Sequence, residues 1–175
     1  MQSVGFKEWA LVCDALGRGE QTILLRKGGI AEGRQGFGFK HAEFFFFPTF
    51  FHEQLVKVRM PEAKLPPPAE AIQIRYFAKL EREKKITAWS EAVSLAPFHI
   101  LAESVVRERF EYKDAGLYVA QVRVFRLEPV WIFPDQPSYG GCRSWVNLPD
   151  CPGTTRFEPV LSGAEHEKRS PDCFD

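Results

Sequence analysis

The sequence predicts an α+β fold built on a mixed, mostly antiparallel β-sheet, with a shape compatible with curling into a partial barrel. Three observations support this prediction: strand-like segments outnumber helical ones, two clear helices each precede a strong strand, and regular strand–helix alternation is missing. A doubly wound nucleotide-binding fold would also need a glycine fingerprint after its first strand, which this chain lacks. With 175 residues, 45% of them hydrophobic, the chain is long enough to bury a sizeable core.

The N-terminal segment has the pattern of an amphipathic helix over about 6–16. Its apolar residues recur at helical spacing, and Gly17 follows as a C-terminal stop. Residues 21–27 are rich in apolar and β-branched side chains and end at Gly28–Gly29, which predicts a central strand closed by a tight turn. The glycine-rich stretch 30–40 then predicts a loop.

A phenylalanine-rich segment over 44–51 is predicted to supply the middle of the core. Six phenylalanines occupy its eight positions, and Pro48 and Thr49 separate a short buried strand from the turn or helical segment that follows. Residues 61–71 contain four prolines, so they predict an extended surface connection between the two halves of the chain.

The second half of the chain combines one helix with several strands. Apolar spacing predicts the second main helix over about 99–110, and the charged stretch 81–85 is predicted to be a turn or strand end. The predicted strands cover 72–80, 117–127, 130–133 and 142–148. Because the last residues lack periodicity, we predict one domain over 1–161 and a disordered tail over 162–175.

Charge and cysteine content exclude several classes of function. The chain carries 23 basic and 23 acidic residues, so no global field attracts it to nucleic acid, and any such binding needs a local patch. Neither a signal sequence nor a membrane-spanning run is recognisable, which predicts a cytoplasmic protein with no membrane partner. The four cysteines, Cys13, Cys142, Cys151 and Cys173, form no CxxC pair and are too few for a disulfide scaffold. We therefore predict no metal site and no cofactor.

The best candidate for an anion site is the segment LLRKGG. It places Arg26 and Lys27 at a strand end, beside Gly28 and Gly29, whose amides could cradle a phosphate or a carboxylate. The GK[ST] ending of a phosphate-binding loop is missing, so a cationic strand end followed by a turn is the plainer interpretation.

Two further segments supply anion-binding or base-stacking candidates. Helical spacing puts Arg109 on the apolar face of its helix, where a guanidinium needs a partner or lines a cavity. The segment YGGCRSW adds Arg143 as a phosphate ligand, with Tyr139 and Trp145 as rings on which a base could stack. The plainer interpretation is a structural pair for Arg109 and core packing for the aromatic rings.

A catalytic alternative gathers polar side chains around the phenylalanine-rich segment. It would combine a histidine with a nearby carboxylate or thiol as base and nucleophile, from the set His41, Glu43, His52, His99 and Cys142. Two of these groups would have to converge within about 4 Å in one cleft. The histidines lack HExxH and HxH spacing, and the ExK triplets lie outside predicted strands, which argues against a metal-dependent nuclease.

Four blocks of sequence stand out as a set: EWALVCDALGRGEQTILLRKGGI, FFFFPTFFHEQ, PFHILAESVVRERF and YGGCRSWVNL. Through them the chain resembles a bacterial family known as domain of unknown function 1802 (DUF1802), from about Phe6 to Val160. Some relatives are joined to a restriction-endonuclease-like domain of the Mrr type. The resemblance therefore implies a role near restriction, modification or nucleic-acid defence, with a restriction-type nuclease as a partner, but it transfers no active-site residues.

Three functions from different classes follow from the sequence. The first is a non-catalytic module that recognises nucleic acid or nucleotides through the arginines and lysine named above. The second is a small enzyme built on the histidine, carboxylate and cysteine set, so whether the chain is an enzyme stays open. The third is a protein-interaction module that presents an apolar patch.

Overall fold

The strands of this protein form one seven-stranded sheet in a computed structural model that describes residues 3–27, 38–67 and 69–174. In chain order the elements are β1 (Val4–Trp9), α1 (Ala10–Gly17), β2 (Ile23–Arg26), β3 (Glu43–Thr49), α2 (Gln54–Lys57), β4 (Ala71–Ile86), α3 (Trp89–Ser94), α4 (Glu103–Glu111), β5 (Leu117–Pro134), β6 (Trp145–Asn147), β7 (Arg156–Pro159) and α5 (Gly163–Glu167). No helix within the described ranges is long and apolar enough to cross a membrane.

The strand order confirms the predicted α+β class with a mixed, mostly antiparallel sheet. Strands follow one another as β2-β5-β4-β3-β1-β6, and β7 pairs with the second half of β5. Only the pairing of β1 with β3 is parallel among the described strands. The two main helices are α1, of eight residues, and α4, of nine.

The sheet curls without closing into a barrel. Strand β2 lies at one edge of the sheet order, four strands away from β1. Even so, Nη2 of Arg26 on β2 donates a hydrogen bond to the carbonyl oxygen of Lys7 on β1. A side chain rather than a backbone ladder therefore spans the seam between β1 and β2.

Both faces of the sheet are buried, and the phenylalanine run explains how. Side chains alternate across a strand, so Phe44 and Phe46 pack into the core shared with α1 and α4, while Phe45 and Phe47 enter a second cluster on the opposite face. All four are 5% exposed or less. The prediction that this segment lies in the core is confirmed.

The first predicted helix is wrong over residues 6–9, which belong to β1. Phe6 pairs with Phe46 in the parallel ladder and with Trp145 in the antiparallel one, and helix α1 begins only at Ala10. Apolar residues three apart fit a helix as well as a strand buried on both faces, so long-range pairing decided the outcome.

Other strand boundaries differ from the prediction for the same reason. Strand β2 is an edge strand rather than a central one. The charged residues 81–85 continue β4, and 130–133 continue β5, because these two strands pair along almost their whole length. Helix α4 begins at Glu103, four residues later than predicted.

The sequence predicted a disordered tail over 162–175, and the described part of this segment, residues 162–174, contains helix α5. Ser162 and Glu165 form a reciprocal capping box that starts α5. Nε2 of His166, whose side chain is 6% exposed, lies 2.7 Å from Oε2 of Glu81 on β4. Thr22 donates a hydrogen bond of 2.8 Å to the carbonyl oxygen of Arg169. These polar contacts, together with the packing of Cys173 and Phe174 against the core, hold this segment without a periodic pattern in the sequence.

Candidate functional site

A pocket of about 530 Å³ opens where β1 and β2 approach each other, beneath the C-terminal half of α4. Among the described residues, five cationic side chains line it, against one carboxylate, that of Glu108. We call it the basic pocket and define it by its cations: Lys7, Arg26, Lys27, Arg109 and Arg143. Its volume falls in the range of about 300–1,000 Å³ that is usual for small-molecule sites.

Strand β1 brings Lys7 to the pocket because side chains alternate along a strand. Lys7 and Trp9 line the pocket, while Glu8 between them is buried, with 2% of its surface exposed. Nζ of Lys7 donates a hydrogen bond of 3.0 Å to the carbonyl oxygen of Gly141. Burial, and next the nearby charge of Arg143, lower the pKa of Lys7.

Arg26 is held in the wall of the pocket. Its guanidinium carbon lies 4.6 Å from the centroid of the Phe6 ring, a cation–π arrangement, and its Nη2 bonds to Lys7. Its Nε lies 3.9 Å from Oε2 of Glu8. The buried carboxylate of Glu8 therefore compensates part of the positive charge in the pocket.

Lys27 fastens the end of α4. Its ammonium donates to the carbonyl oxygens of Phe110, at 3.2 Å, Gly116, at 2.9 Å, and Asp114. Three acceptors use all three donors of an ammonium group, so Lys27 contributes charge to the pocket but no free hydrogen.

We expect Lys27→Met to lower the free energy of unfolding by about 1–2 kcal/mol, because three carbonyl groups lose a charged donor. Urea unfolding followed by circular dichroism measures this change. Lys113→Met is the control, since Lys113 lies near the same helix end but does not line the pocket. Equal stability of Lys27→Met and the wild type would contradict this role.

Arg109 lies between the end of β2 and the Trp9 ring. Its Nη1 donates a hydrogen bond of 2.7 Å to the carbonyl oxygen of Leu25 on β2, and its guanidinium carbon lies 4.8 Å from the centroid of the Trp9 ring. Burial lowers the pKa of Arg109 to about 10, so the group stays charged at neutral pH. The sequence placed this arginine on the apolar side of its helix as a residue that needs a partner or lines a cavity, and it does both.

Arg143 lies in the loop before β6, with an exposed side chain at the rim of the pocket. It makes no hydrogen bond or ion pair within the described part of the chain. The structure thus brings together four predicted anion-site residues, Arg26, Lys27, Arg109 and Arg143. The predicted partners Gly28 and Gly29 lie outside the described residues.

Of the two rings predicted to stack on a base, Tyr139 is a core residue and Trp145 is half-buried against the core. Tyr139 is 5% exposed and packs against Phe47 and Phe133, with ring centroids 5.4 and 5.9 Å away. Trp145 packs on Phe6 at 4.8 Å, with its Nε1 buried. The neighbouring glycines suggest an exposed loop, but the short apolar strand and turn here pack their aromatic residues against the core.

Trp9 and Tyr112 are the aromatic residues of the pocket. Tyr112 caps the end of α4 and is 43% exposed, so its ring is accessible from the pocket rim. Sequence reasoning missed Lys7, Trp9 and Tyr112 as site residues. Had residues 4–9 been assigned to a strand, their period of two would have placed Lys7 and Trp9 on one face.

The structure does not assemble the predicted catalytic set. His41 packs against Trp145 at 4.8 Å, Glu43 pairs with Lys79 at 2.9 Å, and His52 is exposed just before α2. Cys142 alone of this set lines the basic pocket. Among the described residues, no three histidine, cysteine, aspartate or glutamate side chains are grouped to hold a metal ion.

His99 is a buried structural histidine. It is 6% exposed, and its Nδ1 accepts a hydrogen bond of 3.1 Å from the backbone N–H of Leu101. Burial, with the nearby charges of Arg59 and Arg109, lowers the pKa of His99 to about 3. It is therefore neutral in the native state at neutral pH.

This burial predicts a loss of stability in weak acid. Below about pH 6.5 the unfolded chain protonates His99 while the native state does not, so stability is full above pH 6.5 and falls as the pH drops toward 3. At pH 5 the expected loss from His99 is about 2 kcal/mol. Urea unfolding of the wild type and of His99→Gln at pH 7 and at pH 5 tests this prediction. An equal loss of unfolding free energy at pH 5 in the variant would contradict it.

The sequence matches the family described as "Domain of unknown function (DUF1802)" over residues 5–172. Among solved structures, the chain is similar to the ASCH protein of Zymomonas mobilis, at 14% identity and a TM-score of 0.47, covering 95% of this chain and 92% of that one. A serine-to-alanine variant of that protein gives 14% identity and a TM-score of 0.48, with 95% and 93% covered. A tyrosine-to-phenylalanine variant gives 16% identity and a TM-score of 0.47, with 96% of both chains covered. No curated protein matches the sequence.

Proposed function

We propose that this chain, which belongs to the domain of unknown function (DUF1802) family, is a non-catalytic module that recognises nucleic acid or nucleotides through the basic pocket. One observation carries the proposal: cations from β1, β2, α4 and the loop before β6 converge on one pocket beside two aromatic rings. Phosphate is recognised by arginine and lysine, and a base by stacking on an aromatic side chain.

The distribution of charge supports the same proposal. The whole chain has no net charge, yet its pocket holds five cations and one lining carboxylate. Bringing like charges together in a partly buried site destabilises the protein unless something compensates them. Glu8 compensates only part, so an anionic ligand is the natural complement.

Fluorescence anisotropy with labelled single-stranded DNA, duplex DNA and RNA tests this proposal at low and high salt. We expect the wild type to bind more weakly as salt increases. The double variant Lys7→Ala/Arg143→Ala is expected to lower the affinity. It should also reduce the slope of log affinity against log salt concentration by roughly 0.7 per lost contact to a single-strand phosphate. The matched control is Arg156→Ala/Lys168→Ala, which removes the same charges from residues outside the pocket.

Two outcomes would contradict the proposal. One is the absence of binding to every nucleic acid and to a nucleoside monophosphate at low salt, and the other is an equal loss of affinity in both double variants. The second outcome would show a general charge effect rather than a site.

A protein-interaction role is the second candidate, because apolar side chains are exposed around α2. Phe50 is 55% exposed, Leu55 36% and Val56 80%. A nuclease partner and a link to restriction, which the family resemblance implies, belong to this proposal, as does a cytoplasmic location. Sedimentation velocity of the chain mixed with a purified Mrr-type nuclease domain tests it: a complex that Val56→Asp abolishes is expected, and separate boundaries would contradict it.

A further inference from the structure

We propose that the basic pocket binds a phosphate monoester of a nucleoside, at the end of a strand or in a free nucleotide, rather than the internal phosphates of a duplex. This inference rests on the proposed function and narrows its ligand class. It depends on which donors are free, on the charge around the pocket and on the position of Tyr112.

Few donors of the pocket are available to a ligand. The ammonium group of Lys27 donates to three carbonyl groups. The guanidinium group of Arg26 lies on the Phe6 ring and donates to the carbonyl oxygen of Lys7. Lys7 uses one donor on Gly141, and no other described residue accepts a hydrogen bond from its ammonium group. Arg109 uses Nη1 on Leu25, while its Nε and Nη2 make no hydrogen bond with the described residues. Together with Arg143, these groups can surround one phosphate group rather than follow a backbone.

The net charge of the rest of the chain disfavours an extended polyanion. The chain has equal numbers of acidic and basic residues, and the part of the pocket lining that the structure describes has five cations against one carboxylate. The rest of the protein therefore carries an excess of negative charge. A duplex would bring many phosphates against that surface, whereas a terminal phosphate brings its charge to the pocket alone.

The charge of the ligand points the same way. A phosphate monoester carries about −1.5 to −2 at neutral pH, while an internal phosphodiester carries one negative charge. A monoester therefore compensates more of the positive charge in the pocket. Charge-assisted hydrogen bonds to guanidinium groups are the strong ones, and they favour the group with more acceptor oxygens.

Tyr112 adds the requirement for a nucleoside. Its ring is 43% exposed at the end of the same helix that carries Arg109, so a base attached to the bound phosphate has an accessible aromatic surface at the rim. Stacking of a base on an aromatic ring contributes about 1–3 kcal/mol. We therefore expect Tyr112→Ala to weaken a nucleotide but not inorganic phosphate.

The experiment compares one short single-stranded oligonucleotide with a 5′-phosphate, with a 3′-phosphate and with neither, labelled away from the tested end. Isothermal titration with a nucleoside monophosphate, its nucleoside and inorganic phosphate separates a free nucleotide from a strand end. We expect a terminal phosphate to raise the affinity at least about tenfold, and duplexes without one to bind weakly.

The outcomes separate this inference from the proposed function. Equal affinity with and without a terminal phosphate, lost in Lys7→Ala/Arg143→Ala, would overturn the inference and leave the proposed function standing. No binding of any probe would overturn both. A nucleoside monophosphate that binds no better than inorganic phosphate, with no effect of Tyr112→Ala, would overturn the requirement for a nucleoside.

Discussion

Replacing Arg109 with leucine is expected to lower the affinity for a phosphate-bearing nucleotide or oligonucleotide by about 100-fold. Removing one member of an enclosed, hydrogen-bonded charge contact costs several kcal/mol. The guanidinium of Arg109 lies on the Trp9 ring, and only its Nη1 is used by Leu25. Because no described residue accepts a hydrogen bond from its Nε or Nη2, these donors can serve a ligand. The measurement is the dissociation constant from anisotropy or calorimetry.

Arg107→Leu is the matched control for this prediction. Arg107 lies on the same helix and carries the same charge, but it pairs with Glu111 at 3.2 Å and does not line the pocket. We expect its affinity to stay within about twofold of the wild type, because exposed charges contribute little. Equal losses in the two variants, or an unchanged affinity in Arg109→Leu, would show that Arg109 does not hold the ligand.

Phe45→Ala is expected to destabilise the fold by about 3–5 kcal/mol, the usual cost of removing a large buried ring. Phe45 is fully buried on the sheet face opposite α1 and α4. Its ring contacts those of Trp131 at 5.0 Å and Phe77 at 5.2 Å. Denaturant unfolding at neutral pH gives the change in the free energy of unfolding.

Phe50→Ala is the control from the same phenylalanine-rich segment. Phe50 is 55% exposed, so its loss is expected to cost less than about 0.5 kcal/mol. A small effect for Phe45→Ala as well would mean that only one face of the sheet supports the fold.

The elements predicted correctly from the sequence are those whose local run of apolar residues identifies them. The strand that begins at Leu117 and the run Phe44–Phe47 carry dense apolar signals, and both lie in the sheet as expected. The helix predicted over residues 6–9 is wrong because the spacing of Phe6 and Trp9 fits a helix, while pairing with β3 makes this segment a strand. Pairing between distant segments has no signature in a window of a few residues.

The site was predictable in part for a related reason. Arg109 stood out because a charge on an apolar helix face needs an explanation, and Arg26 because of its place at a strand end. Lys7 was missed because its segment was predicted to be a helix rather than a strand. Tyr112 lies at a helix end, where no local rule singles out an aromatic ring. That all these residues meet at one seam depends on the curl of the sheet, which follows from tertiary packing.

A nuclear magnetic resonance titration of isotope-labelled protein with a 5′-phosphorylated short oligonucleotide tests the central claim most directly. We expect saturable shifts in the backbone signals of Lys7, Arg109 and Arg143 and in the guanidinium signals of the two arginines. Signals from the exposed face around α2, such as that of Val56, should stay unchanged. Shifts centred on α2, or no saturable shift anywhere in the protein, would contradict the claim that the basic pocket binds phosphate.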